Sequence, residues 1–265
     1  MSPTPLRAGG MTYGKTLFLI DSHATVGGLA GGLADLAALD ASDVDLERLS
    51  EPALSLSMRR VAEMGRKRGA ALVAVGVSDA ASLSDLGVAS HTALPDLPIL
   101  YIGVNSPAAT PFPTPGRILD HVLVPSDYSA RSGCLTSCLI RVARRGARIV
   151  TLMHVPDAGL ARDCESRAAG ELGRVDTDWV DLLKQMLFAA GVAEVRFVSL
   201  IGGSAQFDLM TPGVSLVLVG ATCTAEVAQA YVSAAGHLLR KQSVVPALML
   251  TAETCLADVR LHGVA

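Results

Sequence analysis

The chain has 265 residues, of which half are hydrophobic and 18% are charged, and its formal net charge is −3. This length fits one large domain or two of ordinary size, and the composition allows a sizeable buried core. The charge balance argues against a nucleic-acid-binding surface, which needs clustered basic residues. The apolar runs are strand-sized, far below the ~20 residues that cross a bilayer, so we expect no membrane partner.

The sequence carries no signal for export or for metal binding. Its first 14 residues lack the apolar core of a secretory signal, so we expect a cytoplasmic protein. The cysteines form no CxxC pair and have no metal-ligand spacing, so we expect reduced thiols and no metal site. They are Cys134, Cys138, Cys164, Cys223 and Cys255.

The first half alternates apolar runs with helical stretches. Strands are predicted at residues 15–21, 71–77 and 97–104, and helices from Thr25 to Leu39 and from Pro52 to Lys67. The acidic segment from Asp40 to Glu47 is interpreted as a connection between the two helices. The basic residues of the second helix are interpreted as a solvated face. Residues 105–116, with four prolines, are predicted to form an extended linker.

Residues 117–155 predict a βαβ unit. An apolar run from Ile118 to Val124 is broken by Pro125, a helix follows, and Gly146 ends it before a second apolar run. The apolar runs are continuous rather than alternating, as in parallel strands that are covered on both faces. Parallel sheets bind ligands at the carboxyl ends of their strands, which points to the turn at residues 125–129.

The rest of the second half continues this alternation. Helices are predicted from Thr177 to Ala190 and from Ala225 to Lys241, and strands at residues 194–202, 215–220 and 245–250. Five strands with intervening helices predict an α/β fold with right-handed crossovers.

The two halves show an internal similarity. KTLFLID matches HVLVPSD, ALVAVGV matches SLVLVGA, and LPILYIG matches VPALML, which makes the first half an abbreviated copy of the second. The predicted domains are residues 12–104 and 117–252. The short apolar strands LPILYIGV and VPALML are predicted to pair across a pseudo-twofold, since an uncovered apolar edge invites aggregation.

Residues 118–250 resemble the universal stress protein family in the segments ILDHVLVPSDYS, GARIVTLMHV, SLIGGSAQFDL, LVLVGA and VPALML. The resemblance implies two Rossmann-like, adenine nucleotide alpha-hydrolase-like domains in tandem, with the first one abbreviated. Members of this family commonly dimerise through the last strand of the sheet, and a tandem chain can satisfy that pairing internally.

The resemblance also implies a nucleotide site. Carried over from the ATP-binding members, it places Asp127 near the ribose or adenine, Val155 at the base, Gly220 at the start of the phosphate loop and Ser233 at a phosphate. Glycines in such loops let backbone N–H groups approach phosphate. Here the sequence departs from the family pattern, because Cys223 and Val232 replace two of the three glycines.

Two functions remain open, since a third, a different enzyme on the related nucleotide-hydrolase-like fold, would need a catalytic group that the sequence does not show. The first is a non-enzymatic stress-response regulator with an eroded nucleotide site and no cofactor, acting through a protein partner or self-association. No catalytic triad, metal cluster or paired carboxylate stands out in the sequence, and Asp127 is then a helix cap. The alternative is an ATP-binding protein with slow or no hydrolysis, which the retained Asp127, Gly220 and Ser233 favour.

Overall fold

The computed structural model describes residues 14–20, 24–39, 41, 43–51, 56–77, 97–104, 116–126, 133–154, 177–199, 213–220 and 247–250. These ranges contain nine strands and four helices. In chain order they are β1 (Lys15–Ile20), α1 (Val26–Ala38), β2 (Asp43–Arg48), α2 (Met58–Arg68), β3 (Leu72–Val77), β4 (Ile99–Gly103), β5 (His121–Ser126), α3 (Gly133–Arg144), β6 (Ile149–His154), α4 (Thr177–Ala189), β7 (Glu194–Ser199), β8 (Leu216–Val219) and β9 (Ala247–Leu250). Residues 105–115 of the predicted linker at 105–116, and the predicted helix from Ala225 to Lys241, lie outside the described residues.

All nine strands form one sheet, in the order β2-β1-β3-β4-β9-β8-β5-β6-β7. Neighbouring strands are parallel except β4 and β9, which are antiparallel and place Tyr101 opposite Leu248. The predicted α/β fold with a largely parallel sheet is therefore confirmed. The predicted pairing of LPILYIGV with VPALML is also confirmed.

The antiparallel β4–β9 junction, which we call the seam, separates two similar strand orders. Outward from the seam, the first half runs β4-β3-β1-β2 and the second half runs β9-β8-β5-β6-β7. The strands that match in sequence, β1 with β5, β3 with β8 and β4 with β9, occupy equivalent positions. Within the described residues, β7 has no counterpart in the first half.

The acidic segment of the first half is a strand, so its interpretation as a connection was wrong. β2, from Asp43 to Arg48, pairs in parallel with β1 along its whole length. Its charged side chains are tolerated because β2 lies at the edge of the sheet, where they reach solvent and basic partners. Lys15 Nζ and Arg68 Nη1 lie 3.8 and 3.5 Å from Asp45 Oδ2, and Arg68 Nη2 lies 2.9 Å from Glu47 Oε2.

Side-chain caps set where the first two helices begin. Thr25 Oγ1 accepts a hydrogen bond from Gly28 N at 3.0 Å, as expected from the sequence boundary of α1. α2 begins at Met58, later than the predicted start at Pro52, because Ser57 is its N-cap. It ends at Gly69, whose φ of +66° is the left-handed conformation that glycine adopts without strain.

β5 continues through Pro125, where the sequence predicted a break. Ile149 N donates to Asp120 O, so Val122 and Val124 point their backbone groups towards β6 and Pro125 points its nitrogen towards β8. The β5–β8 ladder involves Val122 and Leu123 only. The missing N–H of Pro125 therefore interrupts no hydrogen bond with β6, and the strand reaches Ser126.

One face of the sheet carries a continuous core under α1, α3 and α4, which extends across the seam from Phe18 through Leu100 and Val122 to Leu183. α2 covers the other face of the first half, where a Cβ on Gly65 would collide with Val73. Glycines 146 and 191, with φ of +103° and +100°, end α3 and α4 as predicted. None of the helices in the described ranges is long and apolar enough to span a membrane.

Candidate functional site

The site expected from the sequence lies at the carboxyl ends of the strands in the second half. Of its four residues, Asp127, Val155 and Ser233 lie outside the described residues, so their roles stay predictions. The last described residues beside these positions are Ser126 at the end of β5, His154 at the end of β6 and Gly220 directly after β8. These three strands are neighbours in the sheet, in the order β8-β5-β6.

Gly220 directly follows β8 and is buried against α3. A Cβ on this residue would lie 2.6 Å from Leu135 Cβ and 3.0 Å from Leu135 Cδ1. Separations this short are not accommodated without moving the helix, because interiors are already close-packed. The close approach of α3 is therefore sufficient reason for a glycine here, independently of any phosphate.

The first half repeats this arrangement at the end of β3. A Cβ on Gly76 would lie 3.0 Å from both Ile20 Cγ2 and Val104 Cγ1. Gly76 and Gly220 thus occupy equivalent strand ends, and both glycines leave room for apolar neighbours. At Gly76 the neighbours are side chains of adjacent strands rather than a helix.

A row of polar residues crosses the carboxyl ends of β5, β6 and β7. His154 is in register with Ser126 on one side and with Ser199 on the other, and adjacent strands lie about 4.8 Å apart. Ser126 is fully buried and His154 is 8% exposed. Both residues already interact with other groups of the protein.

The alternation of side chains along each strand places Ser126 and His154 on the α3 and α4 face. These two residues contribute a hydroxyl and an imidazole, which are hydrogen-bonding groups. The sequence pointed to Ser126 through the turn at residues 125–129, but it did not indicate that Ser199 is aligned with His154. The signal was the position of Ser199 at the end of a strand adjacent to His154, which only the strand order reveals.

A second buried polar cluster, which the sequence analysis did not identify, connects β5 and β6 with Ser215, the residue before β8. His121 Nε2 lies 2.8 Å from Thr151 Oγ1, and Ser215 Oγ accepts a hydrogen bond from His121 N at 2.8 Å. Burial lowers the pKa of His121, and the positive charge of Arg196 lowers it further, against a smaller opposite effect of Glu194. His121 lies at the amino ends of the strands, away from the expected ligand site. Its contact with Thr151 therefore indicates a role in the stability of the fold.

No group of three or more His, Cys, Asp or Glu residues within the described ranges could hold a metal ion. The described part of the site thus offers backbone, hydroxyl and imidazole groups.

No protein-family model and no curated protein sequence matches this chain. Its structure is similar to that of a universal stress protein from Archaeoglobus fulgidus DSM 4304, with 11% identity and a TM-score of 0.50, over 89% of this chain and 96% of that chain. It is also matched by a putative universal stress protein from Pseudomonas aeruginosa UCBPP-PA14, with 10% identity and a TM-score of 0.42, over 92% and 84% of the two chains. At such identities the likeness concerns the fold.

Proposed function

We propose that this chain is a cytoplasmic, non-enzymatic regulatory protein of the universal stress protein type, with two such units in tandem and an abbreviated first unit. In this proposal the nucleotide site is eroded and signalling passes through a protein partner or self-association. The likeness in fold to the Archaeoglobus fulgidus protein supports the type. Fold alone does not assign activity, so the rest of the proposal depends on the residues.

The tandem arrangement is supported by the strand order on the two sides of the seam. Equivalent strands follow each other outward from β4 and β9, and the two halves meet in the sheet's antiparallel pair. A duplicated unit joined edge to edge would produce this order. The first half lacks a described counterpart of β7, as expected if it is the abbreviated copy.

The erosion of the nucleotide site is supported by Gly220, and this is the observation that carries the proposal. Gly220 is the described glycine of the expected phosphate loop, and its close contact with Leu135 gives it a packing role. The other two glycine positions hold Cys223 and Val232. A loop whose one retained glycine serves packing has no glycine left that requires phosphate binding to explain it.

The alternative is an ATP-binding protein, which the retained Asp127, Gly220 and Ser233 favour. Calorimetric titration of the purified chain with Mg-ATP separates the two functions. We expect no heat of binding and no nucleotide co-purifying with the protein by mass spectrometry. Micromolar binding that is lost in Asp127→Ala would overturn the proposal and assign the site to the alternative.

A further inference from the structure

The edge strand β7 offers backbone groups for pairing. Glu194 N donates to Arg148 O at 3.1 Å, so Glu194, and by alternation Arg196 and Val198, point their backbone groups towards β6. Val195 then points its N–H and C=O groups away from the sheet. In the described part of the chain, no other strand pairs with this edge.

The two edges of the sheet differ in how they are protected. β2 has four charged residues among its six. Asp43, Asp45 and Glu47 are acidic, and Arg48 is basic. Charged side chains are a common protection of edge strands against pairing, and two copies of β2 would bring carboxylates together. β7 carries only Glu194 and Arg196, which have opposite signs, among half-buried apolar residues. Among the described strands, β7 is therefore the edge with less protection by charge.

The two charged residues of β7 have opposite signs and lie on one face of the strand. Glu194 and Arg196 lie on the same face of the strand, with their side chains 51% and 45% exposed, and Arg196 Nε lies 2.7 Å from Glu194 Oε1. The helix that packs beside this strand, α4, adds exposed apolar side chains. They are Leu182, Met186 and Phe188, with exposures of 46%, 38% and 52%.

We propose that a second copy of this chain pairs with β7 in antiparallel fashion, with Val195 of one copy opposite Val195 of the other. The outward backbone groups of Val195 permit this hydrogen-bonded pair. The neighbouring positions then place Glu194 of each copy opposite Arg196 of the other, at the non-hydrogen-bonded spacing of about 4.5 Å between Cα atoms. A shift by one position in each copy would place Arg196 opposite Arg196, so repulsion between like charges disfavours that register.

The pairing is isologous, because each copy contributes the same residues to the contact. This pairing would join two nine-stranded sheets into one. The edge that it uses, β7, is the edge of the sheet opposite β2. The inference is independent of the proposed nucleotide erosion, since no residue of the expected nucleotide site takes part.

Sedimentation equilibrium of the full chain over a concentration series tests the proposal. We expect the native chain to approach twice its own mass, and Arg196→Glu and Glu194→Arg each to stay monomeric. The double variant Glu194→Arg/Arg196→Glu should recover the dimer, because it restores both pairs with their signs exchanged. A native chain that stays monomeric, or a double variant that does not recover, overturns the proposal.

A backbone change gives a second test with a matched control. Val195→Pro removes one outward N–H of β7 without touching the β6 ladder, a position where edge strands tolerate proline. Leu46→Pro makes the same change on β2, whose ladder to β1 uses the alternate residues. We expect Val195→Pro to abolish the dimer and Leu46→Pro to leave it intact. Dimers that persist in Val195→Pro would show that another surface holds the two copies together.

Discussion

Tyr101 lies directly opposite Leu248 across the seam, the antiparallel pair of strands where the two halves of the sheet meet. The Tyr101 side chain is 1% exposed, and its hydroxyl has no hydrogen-bond partner among the residues that the structure describes. Burial also raises the pKa of this phenol. The junction of the two halves is thus apolar, with one unsatisfied polar atom inside it.

Removing that hydroxyl should stabilise the protein. An unsatisfied buried polar group costs about 1–3 kcal/mol, so Tyr101→Phe should raise the free energy of unfolding by about 1 kcal/mol in urea denaturation. Tyr101→Ala is the contrasting variant, and it should lose about 3–5 kcal/mol because it leaves a cavity at the seam. A destabilised Tyr101→Phe would mean that the hydroxyl has a partner in the folded protein.

Adding one methyl group at Gly220 should destabilise the fold through α3. The new Cβ meets Leu135, and overpacking of this kind costs about 1–3 kcal/mol. Leu135→Ala should not rescue Gly220→Ala, because the nearest atom is Leu135 Cβ, which alanine retains.

The control for Gly220 is Gly27, an exposed glycine in α1 where an added Cβ would have no neighbouring atom within 4 Å. Gly27→Ala should stabilise the protein by about 0.5–1 kcal/mol through helix propensity. Equal free energies of unfolding for the two alanine variants would contradict the packing role of Gly220.

Asp35 should make stability depend on pH. Burial raises its pKa from 3.8 to about 6, against the lowering effect of the hydrogen bond from Gly116 N, 2.8 Å from Asp35 Oδ1. Because the folded state binds this proton more tightly than the unfolded state does, the contribution of Asp35 to stability grows as pH falls from about 7 to about 4.

Asp35→Asn tests this pH dependence, since its amide oxygen can still accept from Gly116 N and it does not ionise. The variant should gain about 1 kcal/mol at pH 7, which is less than the ~1.4 kcal/mol per pKa unit would give for the full shift, because solvent screens this partly exposed carboxylate. The gain should shrink at pH 4.5, when unfolding is followed by circular dichroism at both values. A gain that is independent of pH would show that ionisation of Asp35 is not its cause.

The His121 cluster should contribute to stability through its hydroxyl contact. Thr151→Val keeps the shape but removes the oxygen 2.8 Å from His121 Nε2, which leaves a buried imidazole nitrogen unsatisfied at a cost of about 1–3 kcal/mol. Thr151→Ser keeps the oxygen and should lose less. Thermal unfolding of both variants measures the difference, and a serine variant as unstable as the valine variant would contradict the role of the hydroxyl.

The sequence predicted those parts of the fold that local residue patterns indicate. The continuous apolar runs of β1, β3, β5, β6 and β8 and the glycines after α3 and α4 were sufficient. β2 was missed because its charged residues become a strand only through pairing at the sheet edge. The course of β5 through Pro125 depends on which neighbour its nitrogen faces, and no local pattern contains that information.

The candidate site was less predictable than the fold. Asp127, Val155 and Ser233 were inferred from a family resemblance, and their placement remains a prediction. The alignment of Ser199 with His154 requires the strand order, and the packing role of Gly220 requires the position of α3. Each depends on contacts between segments that are distant in the sequence.

The central claim is that the expected nucleotide site does not bind ATP because Cys223 and Val232 replace two glycines of its phosphate loop. The most direct measurement is a parallel calorimetric titration with Mg-ATP of the native chain and of the variant Cys223→Gly/Val232→Gly, both checked for co-purified nucleotide. We predict no binding by the native chain and measurable binding by the variant, since the glycines restore access of backbone N–H groups to phosphate. Equally tight binding by both would contradict the claim.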